Sequence, residues 1–130
     1  PRGASAEIFF HSTLNRAREF NQAISDIASR YQYPAGEIGV YLQPIERARI
    51  CHQQFSFYYD PDNAGDKERV RALSLDASPK VLDMGGLFTN PYGPWAQMVF
   101  SRAATYTRVM RTVKNAFDPN NIMNPGKLCF

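Results

Sequence analysis

The order of patterns along these 130 residues predicts an α+β fold of the ferredoxin-like kind, an antiparallel sheet with helices on one face. Three observations carry that expectation. Apolar residues recur at helical spacing between Leu14 and Tyr31. Ile50 to Tyr59 separates, by alternation, into a polar row of His52, Gln54, Ser56 and Tyr58 and a second row of Cys51, Gln53, Phe55, Phe57 and Tyr59. The segments follow one another as strand, helix, strand, strand, helix and a possible last strand.

Ala6 to Phe10 has strand composition, and His11-Ser12-Thr13 then offers residues that cap a helix start. Leu14, Ala17, Phe20, Ile24, Ile27, Ala28 and Tyr31 form one apolar helical face, and Pro34-Ala35-Gly36 is expected to stop it. In Glu37 to Gln43 the residues Ile38, Val40 and Leu42 alternate with Gly39, Tyr41 and Gln43, while Pro44 suits a strand end or a sheet edge. In the next strand the aromatic row is the natural core side, which frees the row of His52 and Gln54 to meet a ligand or another domain. Asp60-Pro61-Asp62-Asn63 signals a turn and a second helix from about Gly65, with Ser78-Pro79 expected to interrupt it. Val81 to Leu87 reads either as a last short strand or as a helical turn closed by Gly85-Gly86, and Thr89 to Pro94 as a loop. From Trp95 one long helix is expected into Phe117, with Arg108, Arg111 and Lys114 as a solvated face. The expected division is thus residues 1–94, part of a sheet-bearing domain, and residues 95–130, a C-terminal helix and tail.

Composition narrows the function classes. A hydrophobic share of 44% and a charged share of 21% belong to an ordinary globular domain. The net charge of +3 is spread among acidic residues with no long basic run, which argues against nucleic acid as a partner. No apolar stretch is long enough to span a bilayer, and no basic-then-apolar leader is visible. Cys51 and Cys129 fit no disulfide framework and no metal-ligand spacing, so reduced thiols in a cytoplasmic protein are expected, and no metal.

The last stretch, AFDPNNIMNPGKLCF, is the most specific part of the sequence. Asp118-Pro119-Asn120-Asn121 and Asn124-Pro125-Gly126 are two turn signals around Ile122-Met123, and Lys127 follows the second. Pro-Gly turns the chain tightly and removes a side chain, so backbone can approach another surface with Asn124 and Lys127 flanking it. A helix running into FDPxxI and then NPGK resembles the C-terminus of the FAD-linked oxidase family that includes vanillyl-alcohol oxidase, p-cresol methylhydroxylase and the D subunit of glycolate oxidase.

That resemblance implies a substrate (cap) domain whose tail returns to an FAD domain upstream, on the same chain or a separate one. The chain then reads as a C-terminal fragment, inactive alone, of an enzyme that oxidises an alcohol, hydroxy acid or alkyl-aromatic substrate by hydride transfer to flavin N5. It implies FAD as cofactor, with Asn124 and Lys127 near the isoalloxazine and Lys127 offsetting charge at flavin N1 and the C2 carbonyl on reduction. The spacing of His52 to Tyr58-Tyr59-Asp60 is similar to the strand from which some relatives link a histidine covalently to flavin, so His52 is a candidate attachment or contact residue and Gln54 a polar lining group. Where phenol-oxidising relatives carry a Tyr-Arg pair after a glycine, Gly86 is followed by Leu87 and Phe88, which cannot neutralise a phenolate. His11 is read as a helix-start residue. The rival reading is a free-standing ferredoxin-like module that binds RNA or a small effector on its open sheet face. Oligomerisation is left open, and the catalytic base is not identified.

Overall fold

A computed structural model describes residues 3–129. They divide between Thr89 and Asn90 into two units, each described by itself.

The first unit is built on a three-stranded antiparallel sheet. Strand β1 spans Ala4–Ser12, β2 Ile38–Ile45 and β3 Ile50–Tyr59. Their order is β1-β3-β2, with β3 antiparallel to both neighbours. Helix α1, Ala17–Arg30, joins β1 to β2, and helix α2, Ala64–Asp83, follows β3. This is the ferredoxin-like arrangement with its fourth strand reduced to one bridge. Leu87 and His11 exchange both backbone hydrogen bonds at 2.8 Å on the outer edge of β1.

Side-chain alternation decides which sheet face is filled. Ile8 and Phe10 of β1 and Cys51, Phe55 and Phe57 of β3 are at most 1% exposed. Phe20, Ile24 and Ala28 of α1 and Val70, Leu73, Ala77 and Val81 of α2 are buried with them. Phe10 lies 4.7 Å from Phe20 and 6.1 Å from Phe55, ring centre to ring centre. Burying a Phe or Ile in such a core contributes roughly 1.5–3 kcal/mol each. Tyr33, 2% exposed, fixes the chain after α1 to β3, because its hydroxyl donates to the Tyr58 carbonyl at 3.1 Å and accepts the Tyr58 N–H at 2.8 Å.

Three boundaries differ from the sequence reading, and at Val81 to Leu87 the helical one of its two alternatives is met. His11 and Ser12 belong to β1, where the Ser12 hydroxyl accepts from Gln53 Nε2, and α1 starts after a 3-10 turn over Leu14–Arg16 with no side-chain cap from Thr13 or Arg16. The helix ends at Arg30, before Pro34, where Gln32 turns left-handed at φ 53°. Ser78-Pro79 does not interrupt α2, because Ala77, Ser78 and Val81 on both sides of the proline are held in the core and the Ser78 hydroxyl donates to the Ser74 carbonyl at 2.7 Å. Gly85-Gly86 then closes the helix. Gly85 is left-handed at φ 83°, and a Cβ on Gly86 would stand 2.5 Å from Val81 Cγ1.

The second unit holds α3, Pro94–Arg102, α4, Ala104–Phe117, and the tail. The single helix expected from Trp95 to Phe117 is broken at Ala103, with φ −110° and ψ 49°. Thr107, 8% exposed, supplies the reason, since its hydroxyl donates to the Phe100 carbonyl at 2.8 Å and offers that group a partner outside the helix. Among the described residues no helix is long and apolar enough to cross a membrane.

Candidate functional site

Two places carry the candidate residues, one in each unit. On the sheet, the face away from α1 and α2 is built by alternation from Phe9 and His11 of β1, His52, Gln54 and Ser56 of β3, and Tyr41 and Gln43 of β2. Register sets them in rows. His11 stands opposite His52, which stands opposite Gln43, and Phe9, Gln54 and Tyr41 form the next row.

His52 is ringed by aromatic neighbours. Its imidazole lies 5.5 Å from that of His11, edge to face, 6.2 Å from Phe9, stacked, and 6.1 Å from Tyr41, edge to face. Gln54 Nε2 donates to Ser56 Oγ at 3.4 Å, and both line a shallow cavity of about 440 Å³ with Glu7, Tyr41 and Tyr58. Gly39 has a steric duty beside it. A Cβ there would meet the Tyr58 hydroxyl at 2.9 Å, so the glycine lets Tyr58 lie across β2. Burial holds the His11 ring below the ordinary histidine pKa of 6.5, and the charge of His52 lowers it further. The expected polar row on β3 faces away from the helices, but only Tyr58 is well exposed, His52 and Gln54 are half-buried, and Ser56 is buried at 8% exposure. The pairing of the two histidines is not foreseen by the sequence reading, because the expected strand stops at Phe10.

In the second unit Asp118 organises the tail. Its carboxylate accepts the N–H groups of Ile122 at 3.0 Å and Met123 at 2.9 Å, and is paired with Lys114 Nζ. Lys114 also donates to the Met123 carbonyl at 2.8 Å. Asp118 is 5% exposed, and the hydrogen bond from Lys114 holds its carboxyl below the ordinary value of 3.8, with the two backbone donors acting in the same sense. Lys114 is therefore not part of a solvated face, and Arg111 Nε likewise donates to the Cys129 carbonyl at 2.9 Å. These two cations tie the tail to α4, one helical turn apart.

Asn124 and Lys127 come together where the tail turns. The Lys127 N–H donates to the Asn124 carbonyl at 3.3 Å, with Asn124 and Gly126 both left-handed, at φ 49° and 71°. Both side chains line a cavity of about 490 Å³ with Tyr92, Phe117, Asp118 and Met123. Nothing stands within 4 Å of a Cβ on Gly126, so the turn's backbone is open to a visitor. The residue types suit a flavin: an exposed cation and an amide beside aromatic and apolar walls. Leu87 and Phe88 offer no anion site, since Leu87 is 60% exposed and Phe88 is buried 6.2 Å from Phe10. Among the described residues no group of three or more His, Cys, Asp or Glu side chains is placed to hold a metal ion.

The family described as FAD linked oxidases, C-terminal domain, matches residues 52–128, more than half of the chain. The chain belongs to that family. The match starts at His52 and includes Gln54, Asn124 and Lys127, whereas His11 lies outside it. Among curated proteins the chain is similar to glycolate oxidase subunit GlcD of Bacillus subtilis (strain 168), 28% identical over 113 residues, which are 82% of this chain and 22% of that protein. It is also similar to D-lactate dehydrogenase of Anaerostipes hadrus, 29% identical over 75 residues, 55% of this chain and 16% of that protein. The chain thus spans about a fifth of the length of the relatives it matches. No solved structure matches it. Family membership makes this a domain of FAD-dependent oxidoreductases, and the RNA-binding alternative is set aside.

Proposed function

We propose that the chain supplies the substrate wall and the C-terminal flavin contact of an FAD-dependent oxidoreductase acting on small 2-hydroxy acids. The observation that carries this reading is the sheet face left open by α1 and α2, where His52, Gln54 and Ser56 of a family-matched strand stand together. The relatives named for glycolate and D-lactate share a hydroxyl next to a carboxylate, and Leu87-Phe88 removes the anchor that a phenolic substrate needs. Most of the FAD site belongs to a domain upstream, on the same or a partner chain. Both cysteines are free and buried, which fits a reducing, cytoplasmic setting.

Bound FAD supplies the acceptor for the two electrons leaving the substrate. The work of this chain is to bind, orient and exclude water. His52 and Gln54 present a proton acceptor and a hydrogen-bonding amide to the substrate hydroxyl and carboxylate. Phe9 and Tyr41 fix the His52 ring and shield it from water. Lys127, exposed at the tail turn, offsets the negative charge that the cofactor gains, and Asn124 hydrogen-bonds its polar edge. A covalent link to His52 would compete with its role toward the hydroxyl.

The test is anaerobic mixing of the full-length, FAD-loaded protein with glycolate, D-lactate and L-lactate, with 4-hydroxybenzyl alcohol as the phenolic contrast. Bleaching of the flavin bands by a 2-hydroxy acid is the expected result. Bleaching by the phenol alone would overturn the substrate class.

A further inference from the structure

β1 and β2 flank β3 on opposite sides, and the same side-chain rows run through all three strands. On the helix side, Ile8, Phe55 and Val40 form one row and Phe10, Gln53 and Leu42 the next. The first two members of each row are at most 1% exposed, whereas Val40 is 53% and Leu42 41% exposed. Helices α1 and α2 therefore fill these rows only as far as β3. Gln53 Oε1, in the second row, is buried with no hydrogen-bond partner, which is a mark of an incomplete core.

The two sheet edges differ in the same sense. The outer edge of β1 is closed by the paired backbone bonds to Leu87, while among the described residues no strand pairs with the outer edge of β2. An open edge is normally guarded by a charge, a bulge or a proline, because its free N–H and C=O groups are a template for pairing. From Ile38 to Gln43 the strand has none of these, and its register with β3 is unbroken. Tyr41, 52% exposed, adds a large side chain on the opposite face.

We propose that the outer edge of β2 pairs with a further strand and that a helix joined to it covers Val40 and Leu42, both supplied by the same polypeptide N-terminal to this chain. The family is that of a C-terminal domain, and the chain spans 22% and 16% of the two relatives, so the bulk of such a protein lies ahead of it. A second copy of the chain would fit the edge but not the face. Two β2 edges paired antiparallel about a two-fold axis perpendicular to the sheet put both sets of Val40 and Leu42 on one side, which doubles the uncovered strip instead of covering it. The incoming strand alternates, with apolar residues beside Val40 and Leu42. On the other face it lies beside Tyr41 and Gln43, and so adds a row to the surface that carries His52 and Gln54. The inference stands whichever substrate the enzyme takes.

The experiment uses the full-length, FAD-loaded protein grown with photo-leucine, a diazirine analogue close to leucine in size, as a mixture of ¹⁵N-labelled and unlabelled molecules. The tryptic peptide 31–47 holds Leu42 as its sole leucine, so its cross-links report the surroundings of β2. Cross-links to sequence N-terminal to this chain, within one molecule, are the expected result. Cross-links that join labelled to unlabelled molecules would overturn the proposal in favour of a second copy. Cross-links to residues 90–130 alone would mean that the chain's own second unit covers the strip, and none beyond residues 3–89 would mean that it stays in water; either result overturns the proposal.

Amide exchange in the same full-length protein, read residue by residue, tests the pairing separately. Every second N–H between Ile38 and Gln43 points away from β3. A further strand is expected to slow these outward amides by ~10²-fold or more relative to free ones. Outward amides that exchange freely overturn the strand, even where the cross-link reaches the N-terminal region.

Discussion

The sheet unit and the tail unit are held together by different means. In the sheet unit Phe10, Phe20, Phe55 and Phe57 are at most 1% exposed, and the helices cover one face completely enough to make a core. In the tail unit the large apolar side chains of α4 remain in the open, with Tyr106 56%, Val109 53%, Val113 48% and Phe117 83% exposed. Its order comes from polar ties instead: Thr107 to Phe100, Arg111 to Cys129, and Asp118 to Lys114, Ile122 and Met123. Hydrophobic burial stabilises the platform that carries His52, while directed hydrogen bonds set the turn that carries Lys127. The first resists local change, and the second depends on a few named atoms.

Substitutions can break each side of that contrast. The largest loss is expected from Phe57→Ala, which empties a fully buried ring site in contact with Tyr33 and should cost about 3–5 kcal/mol by denaturant unfolding of the full-length protein. Gly86→Ala should cost about 1–3 kcal/mol, because the new methyl meets Val81 and Phe10 in a packed region that has to shift. Asp118→Asn acts on the other side. It should leave the sheet's protection intact while amide exchange at Ile122 and Met123 accelerates roughly tenfold. Acid should do the same more gradually. Because the folded Asp118 carboxyl titrates below its ordinary 3.8, its contribution is complete above that value and is lost as pH falls toward the folded pKa. His11 gives a second dependence at higher pH. Its depressed folded pKa leaves stability whole above 6.5 and erodes it as the unfolded chain begins to bind the proton.

Much of the platform was legible because its signals are local. The α1 face and the two rows of β3 follow from spacing alone, and both are oriented as spacing requires. The pairing of His11 with His52 was not legible, since it depends on how β1 registers against a strand some forty residues away and on two strand residues beyond the apolar run. Pro79 reads as a breaker, and its neighbours' burial overrides it. The break at Ala103 has no glycine or proline to announce it, because it arises from a threonine hydroxyl competing for a helix carbonyl. In the tail, Asn-Pro-Gly-Lys announced a turn, and both proposed flavin contacts line one cavity there. The part played by Lys114 was hidden by a helical pattern that makes every exposed-side cation look solvated.

The most direct test of the tail's place beside the cofactor is the midpoint potential of FAD in the full-length protein and in Lys127→Met. Removing a cation next to the reduced flavin should lower the potential, since the extra negative charge loses its partner. An unchanged potential would mean that Lys127 is remote from the flavin and that the tail turn has another purpose.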